Sequence, residues 1–116
     1  MIRKLSALLV IVSLGACQHQ VQSVPAVLLD GSDETLSHLK AELATALDRA
    51  RVDLGSGDLT QTSVFAIAPP PLGPNETRST ALPERYQLEI EGGRCFAVSE
   101  SSEVRIELQT VRCRAL

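Results

Sequence analysis

The chain has 116 residues, of which 44% are hydrophobic and 22% charged, and its formal net charge is -3. This length suits one small domain and is too short for two. Apolar residues run along the whole chain, which excludes wholesale disorder, and no coiled-coil or collagen period is present. The acidic balance and the small number of aromatic residues (one Tyr, two Phe, no Trp) argue against a nucleic-acid partner.

Residues 1–16 have the features of an export signal. Arg3 and Lys4 precede a mainly apolar stretch of about ten residues, and small residues follow it. A permanent membrane-spanning helix needs about 20 residues, so the stretch is too short to remain in a bilayer.

The end of this segment, Leu14-Gly15-Ala16-Cys17, resembles the lipobox of bacterial lipoprotein precursors. The resemblance implies that a diacylglyceryl group joins the Cys17 sulfur, that residues 1–16 are removed, and that the new amino terminus is acylated. Several acyl chains anchor a protein stably, whereas one chain binds only marginally. In that class an Asp after the cysteine favours the inner membrane, so Gln18 implies the outer membrane, facing the periplasm. The alternative is an ordinary cleaved signal with a coincidental Cys17.

Residues 17–23 are predicted to be a lipidated tether, and residues 24–116 a single small domain. If Cys17 is lipidated, Cys95 and Cys113 remain, and two such cysteines in an oxidising compartment usually form a disulfide. A metal site or a reactive thiol is the alternative, although neither cysteine belongs to a C-x-x-C motif. We therefore expect one disulfide and neither a metal nor a cofactor.

A short strand and an amphipathic helix begin the domain. Residues 24–29 favour a strand, with Pro25 restricting it to a sheet edge or to its own start. Ser32 is a typical N-cap, which also explains the acidic residues around it better than a calcium loop does. The helix is predicted over 33–51, where apolar residues recur at steps of three and four. They are Leu36, Leu39, Leu43, Leu47 and Ala50.

A second strand is predicted at 63–67, before a proline-rich connection over 69–83. Its first part, Pro69-Pro70-Pro71, favours polyproline II. The connection either joins two strands rigidly or binds a proline-recognising groove, and loops of about 15 residues are often functional.

The last third of the chain predicts three antiparallel strands. Residues 85–91 and 103–109 alternate apolar and polar side chains, and 94–98 lies between them. Turns at Gly92-Gly93 and Ser101-Ser102 give one register, which sets the face that packs on the helix. That face comprises Tyr86, Leu88, Ile90, Cys95, Ala97, Val104, Ile106 and Leu108. The prediction is an α+β fold with one amphipathic helix on a mainly antiparallel sheet of four to five short strands.

The same register places Phe96 and Val98 on the helix-free face, with Arg94 and Arg105 in its charged rim. An apolar centre with a polar rim suits partner contact, so these four residues are the predicted contact with an envelope protein. A bulge, a one-residue slip or the proline-rich connection would instead cover Phe96 and Val98.

No catalytic residue is predicted. His19 lies beside the predicted anchor and His38 on a helix face, so no Ser-His-acid triad can be assigned. Metalloprotease, P-loop and dinucleotide-binding motifs are also absent from the sequence. We expect a membrane-anchored interaction or structural module of the cell envelope, which leaves an enzymatic role unsupported. The alternative is a small-molecule binder or small enzyme with a pocket between helix and sheet.

Replacing Cys17 with Ser tests the predicted anchor, because the acyl chains require its sulfur. We expect the Cys17→Ser precursor to stay uncleaved or to become soluble after fractionation of the producing cells. A variant that is still cleaved before residue 17 and fully bound to the membrane would contradict lipidation.

Overall fold

The computed structural model describes residues 22–70, 72, 74–75 and 82–116. Its elements are β1 (Val24–Leu28), α1 (Asp33–Ala46), β2 (Val64–Ile67), β3 (Glu84–Glu91), β4 (Arg94–Ser99), β5 (Arg105–Leu108) and β6 (Cys113–Ala115). One helix packs on an antiparallel sheet, and a disulfide joins Cys95 to Cys113, as predicted. The predicted lipobox, most of the predicted tether and much of the proline-rich connection lie outside the described residues.

The meander of β3, β4 and β5 has the predicted register. Ala97 pairs with Leu88 on one side and with Ile106 on the other, which confirms both turn positions. Gly92 and Gly93 have φ angles of 58° and 77°, the left-handed values that a two-residue type I′ turn requires. Val104 departs from the prediction: it is 40% exposed, because β5 begins only at the following residue.

The other edge of β3 is divided between two strands. β2 pairs with the first half of β3, and the Leu88 amide donates to the Ser63 carbonyl (2.7 Å). β1 therefore pairs with β3 only at Val24 and Pro25, and the rest of β1 pairs with β6. Within the described residues the sheet thus has six strands rather than four to five. β6 was not predicted, since a strand of three residues is too short to show an alternating pattern.

The start of α1 is capped as predicted. The Ser32 hydroxyl accepts a hydrogen bond from the Thr35 amide (3.3 Å). The Asp30 carboxylate in turn accepts from the Ser32 hydroxyl, the Thr35 hydroxyl and the Ser32 amide, which together lower the pKa of Asp30. Asp30 and Ser32 therefore order the start of the helix.

The helix ends at Ala46, earlier than predicted. The Arg49 amide donates to the Ala44 carbonyl (2.9 Å), and Asp48 has a φ of 54°, which together form a Schellman motif. Aspartate adopts this left-handed conformation more readily than most side chains do, so it ends the helix where glycine is usual. Ala50, predicted on the apolar stripe, consequently lies beyond the helix and is exposed.

The core lies between α1, the β1–β6 pair and the sheet. Leu39 and Leu43 of the predicted stripe are fully buried, while Leu36 and Leu47 pack partly against the core. The largest fully buried side chains are Tyr86, Leu28, Leu39, Leu43, Ile67, Leu88 and Val27. Burial of each such aliphatic side chain stabilises the fold by about 1.5–3 kcal/mol.

Glycine substitutions on either side of the helix end test the Schellman motif. We expect Asp48→Gly to raise the free energy of unfolding by about 0.5 kcal/mol, because glycine has no Cβ penalty at a positive φ. Ala46→Gly, still inside the helix, should lower it by up to about 1 kcal/mol. Urea unfolding measures both, and effects of the same sign would contradict the motif.

Candidate functional site: the β5 edge and its groove

Phe96 lies on the predicted helix-free face of the sheet, but its ring is buried. Its exposed fraction is 6%, and the Arg105 guanidinium lies over the ring, 3.8 Å from its centroid. The Arg94 guanidinium lies 5.5 Å from the same centroid. Long arginine side chains can cover apolar surface while their charged ends stay in water, so this face is less apolar than the register alone indicates.

Ion pairs hold both arginines in place. Arg94 forms two hydrogen bonds with Glu107 (2.7 and 2.5 Å), and Arg105 donates to Glu91 (2.6 Å). The bonds from Arg94 lower the pKa of Glu107, so this carboxylate is ionised at neutral pH. Val98 is half-buried on the same face. A partner here would meet charged groups rather than an apolar patch, and the predicted contact at Phe96, Val98, Arg94 and Arg105 stays a prediction.

The edge of β5 exposes backbone groups. The Ser99 amide donates to the Val104 carbonyl (2.9 Å), so the even-numbered residues of β5 face β4. The amides and carbonyls of Arg105 and Glu107 therefore point away from the sheet. Within the described part of the chain, β5 is an end strand and no other strand covers this side. Such a row of unpaired groups is a template for another strand.

A groove of about 400 Å³ runs between α1 and this edge. On the helix side it is lined mainly by small side chains, Ala41, Thr45 and Ala46, with His38 at one end. On the sheet side it is lined by Ile106 and Glu107. Because β5 forms one wall, a strand added at the edge would lie over the groove and direct alternate side chains into it.

Glu42 links the two walls of the groove. Its carboxylate accepts hydrogen bonds from the Gln109 amide (2.5 Å), the Thr110 amide (3.2 Å) and the Thr110 hydroxyl (2.8 Å). Charge-assisted bonds of this kind are roughly twice as strong as neutral ones. They join α1 to the turn after β5 and so fix the width of the groove. They also pair the amide of Gln109, which is the next outward-facing amide along the chain after those of Arg105 and Glu107.

Groups suited to catalysis are not brought together in the described residues. No cluster of three or more His, Cys, Asp or Glu side chains there could hold a metal ion. His38 is near Glu34 at 3.8 Å on an exposed helix face, as its spacing predicted. The Tyr86 hydroxyl is buried and has no hydrogen-bond partner among the described residues, and burial, with a smaller contribution from Glu84, raises its pKa. Its ring packs against Phe65 in the core, away from the groove.

No described helix is long and apolar enough to cross a membrane.

Comparison with family models, with curated proteins and with solved structures found no match for this chain. The function is therefore argued from the site itself.

Sequence reasoning did not find the groove. Ala41, Glu42 and Thr45 lie off the leucine stripe of the helix, where small and polar residues are ordinary solvent-facing choices. The identity of the end strand depends on how β1 and β2 share one edge of β3, and no local sequence pattern encodes that division. The edge groups of Arg105 and Glu107 could be identified only after the strand order was known.

Replacing Phe96 with Ser tests whether the arginines truly cover the ring. Because the ring is buried, we expect the free energy of unfolding to fall by about 3 kcal/mol. Val98→Ser on the same face should cost less, since Val98 is only half-buried. Chemical denaturation measures both losses. A loss below about 1 kcal/mol for Phe96→Ser would mean an exposed ring.

Proposed function

We propose that this chain is a small lipid-anchored envelope protein that acts without catalysis, as an interaction module. Its partner binds as an extended segment along the β5 edge and fills the groove beside α1. The observation that carries the proposal is the outward-facing amides and carbonyls of Arg105 and Glu107 next to an open, largely apolar groove. Strand addition obtains affinity from the backbone groups and specificity from the side chains that enter the groove.

The membrane attachment belongs to the same proposal. Acyl chains on Cys17 hold the protein at the membrane, in the outer membrane facing the periplasm where the cell has one. The Ser23 hydroxyl donates to Glu89 (2.8 Å), so the domain begins directly after a tether of a few residues. Seven residues span at most about 25 Å even when fully extended, which keeps the domain close to the membrane and favours an envelope partner.

A small-molecule binder is the second candidate, and the same groove supports it. Its volume of about 400 Å³ lies within the range of ligand sites in proteins, and His38 and Glu42 offer polar contacts in its lining. The groove is open along its length and Glu42 is already occupied by the turn after β5. An extended polypeptide therefore fits this surface better than an enclosed ligand does.

Site-specific photo-crosslinking separates these two functions. A photoreactive amino acid replaces Thr45, in the groove, in the full chain in intact cells. Gln61, an exposed residue of the turn before β2, is the matched control position. We expect a discrete protein adduct from position 45 and none from position 61. Adducts equally frequent at both positions, or absent at position 45, would contradict the interaction function.

A further inference from the structure

The charges on the β5 edge specify the strand that pairs with it. Arg105 and Glu107 carry opposite charges on the same face of the strand, and Ile106 points to the other face, toward the groove. Arg105 and Glu107 are already paired with Glu91 and Arg94, and an antiparallel partner adds to this attraction when it places an acidic residue opposite Arg105 and a basic residue opposite Glu107. Read from its amino end, that partner is basic, apolar, acidic. This is the order of Arg105-Ile106-Glu107 itself.

We infer that the partner is a second copy of this chain, joined edge to edge through β5. This inference rests on the proposed function, because it uses the same edge and groove. The two strands run antiparallel about a two-fold axis at Ile106, which places each Arg105 opposite the Glu107 of the other copy. The outward amides and carbonyls of these two residues then form about four hydrogen bonds between the copies.

Charge selects this register over its neighbours. An axis at Arg105 would place two guanidinium groups opposite each other, and an axis at Glu107 would pair two carboxylates. Both alternatives keep only the two hydrogen bonds of their central pair, because Glu103 lies outside β5 and the Gln109 amide is taken by Glu42, and both lose the electrostatic attraction. At Ile106 the pairs are attractive on both sides of the axis.

The groove accommodates the residue at the centre. Ile106 forms a pair without mutual hydrogen bonds, in which the facing side chains approach most closely. Each Ile106 is 9% exposed and packs mainly in the core of its own copy, so the two side chains meet at the axis through their exposed edges, beside the small residues Ala41 and Thr45. The apolar contact thus lies on the helix side of the joined sheets, and the ion pairs lie on the opposite side.

The dimer is weak in solution and is favoured at a membrane. Each copy contributes a strand of four residues, which is a small interface compared with those of stable dimers. Acyl anchors confine both copies to one surface and raise their effective concentration, so association needs little intrinsic affinity.

A charge-exchange experiment tests the register. The full chain is prepared as Arg105→Glu and as Glu107→Arg, and self-association is measured by sedimentation in detergent. Each variant alone has two repulsive pairs, and we expect its dissociation constant to rise by about tenfold or more. An equal mixture of the two variants restores both attractive pairs and should recover dimers. Unchanged association of either single variant, or no recovery in the mixture, overturns the inference.

Cysteine crosslinking gives a second test, because Arg105 also covers Phe96 and its replacement can destabilise the fold. In the proposed dimer the two Ile106 positions are close enough for a disulfide, whereas the two Val104 positions are far apart. We expect Ile106→Cys in the full chain to give a reducible dimer in oxidised cells, and Val104→Cys or the parent chain to give none. Equal dimer from all three chains, or none from Ile106→Cys, contradicts the pairing.

The photo-crosslink at Thr45 then distinguishes self-association from the more general interaction function. An adduct of twice the mass of the chain supports self-association. An adduct with a different protein overturns self-association and leaves the interaction function standing. Absence of any adduct contradicts both.

Discussion

The whole arrangement depends on one backbone constraint: each residue of β3 can pair with only one strand on a given edge. β2 occupies that edge as far as Leu88, whose amide is taken by Ser63. β1 can therefore use only the end of β3, at Val24 and Pro25, and must then leave. A proline at this place is compatible with that role, since it cannot donate a ladder hydrogen bond. The departure of β1 frees its second half to pair with β6.

The pairing of β1 with β6 explains how the disulfide closes. β4 and β6 are separated by β3 and β1 in the strand order, yet the Cα atoms of Cys95 and Cys113 are 5.7 Å apart. Cys113 pairs with Leu28, in the part of β1 that has already left the sheet edge, so it can lie against the start of β4.

A closed loop of this length stabilises the fold by roughly 3 kcal/mol in the chain-entropy model. This contribution is a large share of the net free energy of unfolding of a domain that buries a modest core. An oxidising compartment, which the predicted export signal would imply, preserves that contribution.

The features that could be predicted from sequence are those with local causes. The register of the meander follows from two tight turns and an alternating pattern, and the helix start follows from Ser32 and its neighbours. The helix end was missed because Asp48 takes a conformation for which glycine is the usual signal. β6 and the division of the β3 edge depend on contacts distant in sequence. Phe96 was placed on the right face, but its burial depends on where the flexible Arg105 side chain settles.

The charges on β5 illustrate how an exposed edge can be both protected and used. Short strands and charged residues are common protections against uncontrolled edge pairing, and β5 has both. Two charges of the same sign on this strand would repel every antiparallel copy. Arg105 and Glu107 instead repel their counterparts when the axis lies at either of these residues, and attract them when the axis lies at Ile106. Pairing in that register uses the β5 edge of both copies, so this interface cannot extend into a longer assembly. Arg105 also covers Phe96, and Glu107 also binds Arg94, so the fold of the monomer keeps both side chains in position for contact between copies.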